Sequence, residues 1–196
     1  MKSLPFRFDS ERHIYTANDT GERLPSITQL IKAAGLIDDR WYTDSSASRG
    51  TSVHQLTAAF DLDALTLEDV KGSPLEGFLK AHVELMGIMR PAWYHVEQAA
   101  AHATLRYAGC PDRVGEIYGA RAVHEIKTGP PANWHQIQTA LQAILVADEL
   151  QRPAREVERF TEYITASGTY RVEQHSNKRD FDEAYRIVRD FKRFAA

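Results

Sequence analysis

From Asn133 to Leu150 the apolar residues Trp134, Ile137, Leu141, Ile144 and Leu145 fall at helical spacing and predict one buried face of a helix. Val53, Leu56 and Phe60 repeat the pattern after Asp44, Ser45 and Ser46, any of which can cap a helix start. Pro25-Ser26 opens an earlier helix over Ile27, Leu30, Ile31 and Ala34, and Gly35 stops it. Residues 65 to 90 read as helical with a break near Gly72-Ser73-Pro74. A last helix from about Asp180 begins with the capping-box-like pair Asp180 and Glu183. It turns Phe181, Tyr185, Val188 and Phe191 inward, opposite Arg186, Arg189, Lys192 and Arg193. Cations there suit the helix dipole; a lining for a DNA groove is the alternative.

Elsewhere the period shortens. Runs rich in β-branched and aromatic residues predict strands at Phe6–Phe8, His13–Tyr15, Tyr94–Ala99, Thr104–Ala108, Asp112–Tyr118, Ala122–Lys127, Val157–Thr165 and Tyr170–Gln174. Helices, then a sheet, then helix, strands and helix make an α/β chain in which helices flank a central mixed β-sheet. No repeat, low-complexity tract or Pro/Ser-rich linker divides residues 1–196, so a single domain is expected.

Composition narrows the class. A chain of 196 residues can bury its own core, and 43% hydrophobic with 26% charged residues are globular values. A lone cysteine, Cys110, permits no internal disulfide and excludes a four-cysteine iron–sulfur cluster. No apolar run reaches the length of a membrane span and no signal-peptide segment opens the chain, so the cytoplasm is the expected location. A net charge of -3 speaks against a non-specific DNA coater. A protein whose carboxylates are screened by bound cations can still be acidic and meet DNA at a basic groove. The chain has no phosphate loop of the ATP-motor type.

The candidate chemistry lies in Gly109-Cys110-Pro111-Asp112 and His124-Glu125-Ile126-Lys127-Thr128-Gly129. Glu125 and Lys127 are two apart in a strand and share a face, whereas His124 points away and is not expected as a ligand. If the intervening turn centres on Gly119-Ala120, Asp112 falls opposite Lys127 with Glu125 its diagonal neighbour, at about 5–8 Å between Cβ atoms. Carboxylates this close, with surface-like exposure, repel each other unless a cation lies between them. Mg²⁺ (or Mn²⁺) fits, since it takes a few carboxylates and completes its shell with water and substrate phosphate. The plain alternative is an exposed hairpin with ordinary charges and Lys127 in a simple ion pair.

The pattern resembles the PD-(D/E)xK nuclease superfamily, in its RecB-type and bacteriophage-exonuclease branch. Beyond Pro-Asp and Glu-x-Lys, Gly50-Thr51-Ser52-Val53-His54 is similar to that branch's Gly-x-x-x-His helix motif. Gln138 stands where it carries Gln-x-x-x-Tyr, although the last position here is Gln142, a departure from the pattern. Leu24 to Leu30 and Ala33 to Asp38 also look like phage members. The resemblance covers roughly residues 5 to 150 and implies a restriction-endonuclease-like core.

It further implies Asp112, Glu125, the backbone carbonyl of Ile126 and His54 as metal ligands, with Glu97 a helper acid acting through water. Lys127 would orient or deprotonate the attacking water, or steady the phosphate, and Gln138 would meet the water or the substrate. His54 as a surface or packed residue, Glu97 on a solvated strand face, and Gln136 as a lesser substitute for Gln138 are the alternatives. Gly50 is expected to let another segment approach its helix closely. Trp41 and Tyr42 are candidates for stacking an unpaired base, or for core packing.

Three functions follow. The first is a Mg²⁺-dependent DNA exonuclease of phage or bacterial recombination or repair. Its partners would be DNA and a recombinase, single-strand-binding protein or helicase. The second is an endonuclease of the same fold. The third is a catalytically idle DNA- or partner-binding domain.

Overall fold

The computed structural model describes residues 4–37 and 44–195, so Asp38, Trp41 and Tyr42 lie outside the described residues. In chain order, β1 (Phe6–Asp9), β2 (Ile14–Ala17) and β3 (Arg23–Leu24) precede α1 (Ile27–Ala33), α2 (Asp44–Asp61) and α3 (Glu76–Met89). Then come β4 (Ala92–Val96), β5 (Ala100–His102), β6 (Tyr107–Gly109), β7 (Arg113–Ile117) and β8 (Ala120–Lys127). Helix α4 (His135–Val146), β9 (Glu158–Ile164), β10 (Tyr170–Gln174) and α5 (Arg179–Ala195) complete it.

The main sheet has the order β10-β9-β8-β7-β4. Strands β8 and β9 run parallel and the other neighbours antiparallel, so the sheet is mixed. A parallel pair needs a long crossover, and α4 supplies it. Strand alternation sends Val114 and Val123 to one face, beneath Ile137, Leu141 and Ile144 of α4, with α1 and α5 closing the layer through Leu30 and Phe181. On the other face Ile117, Ala122 and Phe160 meet Leu85, Met86 and Met89 of α3. Ile126 and Ile164 there meet Val53 of α2 and Phe78 of α3. The chain is thus α/β, with a mixed central sheet flanked by helices. Among the described residues no helix is long and apolar enough to cross a membrane.

The β7–β8 hairpin closes at Ile117↔Ala120 over Tyr118 and Gly119, whose φ values of 52 and 79 mark a type I′ turn. The turn therefore centres one residue before the expected Gly119-Ala120, and the register moves by two. Arg113 pairs with His124, which puts Asp112 level with Glu125 rather than Lys127. A shift of two leaves every side chain on its expected face.

Several expected elements change for local reasons. The strand expected over Tyr94–Ala99 ends at Val96, because Glu97 turns left-handed at φ 50. Thr104–Ala108 is not one strand. Residues 103–106 turn, and Arg106, at φ 48, holds Asp19 and Glu22 between β5 and β6. Before α3, residues 65–75 contain a single 3₁₀ turn, Glu68–Val70, instead of a helix. In α5, Ala184 and Ile187 take the buried face and leave Tyr185 exposed. Asp180 does not cap that helix; it pairs with Arg159 at 2.8 Å, while Asn177 Oδ1 accepts the Arg179 N–H. Helix α1 begins as expected, with Ser26 and Gln29 capping each other reciprocally.

Gly115 lies where β4 crosses β7 opposite Trp93. A Cβ there would stand 2.2 Å from the Ala92 carbonyl oxygen and 2.9 Å from Trp93 Cα. Both obstacles are backbone, so β4 would have to move, and Glu97 follows directly from it. Gly115→Ala should lower stability by about 1–3 kcal/mol, measured by urea denaturation; a change within a few tenths would contradict this packing.

Candidate metal centre

The hydrogen-bonded ladder of β7 and β8 stops at Arg113↔His124, and the next residue, Asp112, continues it with its side chain. Its Oδ2 accepts the Ile126 N–H at 2.7 Å, and its backbone carbonyl accepts the Glu97 N–H at 2.9 Å. This anchoring leaves Oδ1 to face His54 Nδ1 at 3.3 Å. The same nitrogen lies 3.2 Å from Glu97 Oε1, because the left-handed turn at Glu97 swings that carboxylate out of the strand alternation. His95 of β4, two residues before Glu97, bonds Glu149.

One ligand atom from each of His54, Glu97 and Asp112 thus falls within 4.8 Å of the other two. Adjacent ligands of an octahedral Mg²⁺ stand about 3 Å apart, given bonds of about 2.0–2.1 Å. The two contacts of His54 are close to that spacing, and two carboxylate oxygens with an imidazole nitrogen form a donor set that a divalent cation can take. Glu97, read from sequence as a helper acting through water, stands in this cluster itself.

Glu125 stands beside the cluster, not in it. Its Oε1 accepts Lys127 Nζ at 2.6 Å and Gln138 Nε2 at 2.5 Å, and its Oε2 accepts Gln142 Nε2 at 2.5 Å. Gln138 and Gln142 are one turn apart on α4, so both reach the same carboxylate. The Oε1 atoms of both amides are buried with no hydrogen-bond partner among the described residues. The Lys127 ammonium also lies 5.2 Å from the centroid of the Trp134 ring. Asp112 and Glu125 are 4% and 2% exposed, which corrects the expectation of surface-like carboxylates.

The opposite face of the strands is occupied by other chemistry. His124 Nε2 bonds the Glu162 carboxylate, which accepts, at 2.8 Å. Arg113 sits on that side too. The Gln136 backbone carbonyl accepts from Arg159 and from Thr139. Within 4 Å of a Cβ added at Gly50 there is no described atom.

Charge is unevenly held across the site. The nearby Asp112 carboxylate raises the His54 pKa to about 11 against the opposing effect of burial, with Glu97 adding to the rise. Burial pushes Asp112 up, but His54, Lys127 and the Ile126 N–H outweigh it and leave its carboxyl below the usual range. Glu97 is raised, by burial first and by Asp112 as well. Burial and the neighbouring carboxylates push the Cys110 thiol up to about 12, so it is not a thiolate nucleophile.

Two residues of this site were not singled out by sequence. Gln142 was noted only as a departure from a motif, and Arg113 only as part of a strand. The Gln138–Gln142 spacing was a visible signal for the first; nothing local marked the second. No protein-family model matches the chain, and no curated protein is similar to it.

The raised His54 pKa has a sign that can be measured. An imidazolium held by Asp112 contributes its full stabilisation below the ordinary value of 6.5 and loses it as pH rises through about 11. A metal ion needs the neutral imidazole, so its uptake must expel that proton throughout the neutral range. Mn²⁺ affinity should therefore rise with pH, by up to about tenfold per unit. Calorimetric titration in buffers of different ionisation enthalpy should show close to one proton released per ion; none released would place the ion elsewhere.

Proposed function

We propose that the chain is a Mg²⁺- or Mn²⁺-dependent nuclease of the PD-(D/E)xK type that hydrolyses DNA phosphodiester bonds from strand ends. The observation that carries this reading is the convergence of His54 Nδ1, Glu97 Oε1 and Asp112 Oδ1 at the end of the hairpin that also bears Glu125 and Lys127. The β7–β8 hairpin, followed by the α4 crossover to a parallel β9, supports a restriction-endonuclease-like core.

In this reading His54, Glu97 and Asp112 hold the ion, with Glu125 and the Ile126 carbonyl as the remaining protein candidates. A bound divalent ion supplies an activated water and neutralises phosphate charge. The chain's own residues do the rest. Lys127 places a positive charge beside the carboxylates, where it can orient the attacking water or stabilise the charge that develops on the phosphate. Gln138 and Gln142 fix the plane of the Glu125 carboxylate, and their buried acceptor oxygens are suited to a water or a substrate hydroxyl. DNA is the partner whose phosphates such a site meets.

One observation favours the idle-domain reading: both oxygens of Glu125 are already engaged by protein donors. Cleavage assays separate the two. Asp112→Asn, Glu125→Gln and Lys127→Ala should each reduce Mg²⁺-dependent cleavage of end-labelled linear DNA by about 100-fold or more. Wild-type protein that leaves DNA intact in Mg²⁺ and in Mn²⁺ would favour the idle domain; near-native cleavage by either carboxylate variant would remove the site assignment.

The mode of attack is tested on topology. Recognition of a particular sequence requires contacts to base edges, and no insertion that could supply them is evident among the elements. Linear DNA should therefore be consumed from its ends, with strong inhibition by salt. A covalently closed circle should survive the same conditions. Comparable cutting of the circle would replace the exonuclease with an endonuclease.

A further inference from the structure

Arg113 directly follows Asp112, yet its side chain passes to the other face of the sheet, where it is 0% exposed. A guanidinium there must find a counter-charge and partners for its donors. Its Nε donates to Asp61 Oδ2 at 2.5 Å. Its Nη1 donates to the Asp112 carbonyl at 2.7 Å and to Glu97 Oε1 at 3.2 Å. Its Nη2 donates to Thr57 Oγ1 at 3.0 Å, and that hydroxyl in turn donates to the His54 carbonyl at 3.2 Å.

One planar group therefore reaches all three segments that carry the candidate ligands: α2 with His54, the turn after β4 with Glu97, and the start of β7 with Asp112. The far side of the fork is also fixed. Asp61 Oδ2 contacts His82 of α3 at 3.1 Å, and His82 contacts Glu162 of β9 at 3.0 Å. We propose that Arg113 is a positioning residue that sets the spacing of His54, Glu97 and Asp112 for a divalent ion. It does so by bonding to the backbone or side chain of each segment. The inference rests on the metal reading of those three residues.

Lysine separates this role from a plain buried ion pair. A lysine at this position keeps the charge opposite Asp61, but its point-like ammonium cannot span Asp61, the Asp112 carbonyl and Thr57 together. Thr57→Val removes one arm of the fork without altering charge and guards against Arg113→Lys failing to fold. Arg159 is the control. It is a buried arginine paired with Asp180 against α5, and no contact joins it to the cluster.

The probe is Mn²⁺ alone, titrated into wild-type protein, Arg113→Lys, Thr57→Val and Arg159→Lys. Affinity is read by calorimetry, ion symmetry by electron paramagnetic resonance, and folding by thermal melts. Arg113→Lys should weaken Mn²⁺ binding by about 10–100-fold, the usual range for residues that orient ligands, and should alter the resonance line shape. Thr57→Val should shift affinity in the same direction by less. Arg159→Lys should lower the melting temperature and leave Mn²⁺ affinity unchanged. If wild-type protein binds Mn²⁺ and Arg113→Lys and Thr57→Val bind it equally well with the same line shape, the positioning role is wrong while the metal reading stands. An equal loss in Arg159→Lys would also overturn it, as general destabilisation. Wild-type protein that takes up no Mn²⁺ overturns the metal reading and this inference with it.

Discussion

The two-residue turn at Tyr118 and Gly119 sets the register of β7 on β8, and that register decides which layer each charged side chain enters. With Arg113 opposite His124, both point beneath α2 and α3, and Asp112 and Glu125 point toward the end of α4. A slip of one residue would exchange the faces. The Arg113 guanidinium would then enter the apolar layer of Leu141 and Ile144, and Glu125 would lose both glutamines. Strand β8 is also held from its other side, where Glu125 pairs with Thr161 and Lys127 with Tyr163 of β9. The hairpin end is therefore over-determined. A site built from side chains on two strands and a helix needs such a support.

The layer beneath α2 and α3 contains more charge than a stable core requires. Asp61, His82, Arg113, His124 and Glu162 are each no more than 4% exposed in their side chains and form one connected chain of bonds. Burial works against Glu162, yet His82 and His124 hold its carboxyl down to about 2. Burial likewise lowers His82, but Glu162 and Asp61 outweigh it and raise it to about 9. Glu162 and His82 are thus both ionised at neutral pH. Buried ion pairs seldom stabilise more than apolar residues of the same size, and breaking one costs about 3–5 kcal/mol. What such a network does provide is fixed geometry, and this one ends at the Asp112 carbonyl and Glu97.

Much of this was legible from sequence where the signal was local. The periodicity of α4, the Ser26 start and Gly35 stop of α1, and the placement of Glu125 and Lys127 on one face depend on neighbours in the chain. The turn was misplaced because Gly119-Ala120 suits a glycine-first type II′ turn, whereas Tyr118 adopts a positive φ that non-glycine residues rarely take. Glu97 reads as one more strand residue for the same reason; it takes a φ of 50 while its N–H donates to the Asp112 carbonyl. Tyr185 was misread because Ala184 and Ile187 of the same helix take the buried face, and Asp180 because a tertiary partner, Arg159, engages it across from the helix start. Arg113 carried no sequence signal because all its side-chain partners except Glu97 belong to a helix more than fifty positions earlier.

The two carboxylates at the hairpin end are prepared differently. Asp112 has one oxygen locked by a backbone N–H and the other turned toward His54, so presenting that second oxygen to an ion costs only its ion pair with His54. Glu125 has three donors on its two oxygens. Each charge-assisted bond of that kind contributes about 1.5–3 kcal/mol, and three of them leave only the second lone pair of Oε2 open to an ion unless a donor yields. The glutamines are buried on α4, whereas the Lys127 side chain is 18% exposed. Lys127 is the donor with an alternative, because its ammonium lies near the face of Trp134, which offers a cation a second contact. Under the proposed nuclease function, the lysine that neutralises Glu125 in the free protein would be the group whose charge turns to a phosphate, and loading of the acidic cluster would be coupled to that movement along the same strand.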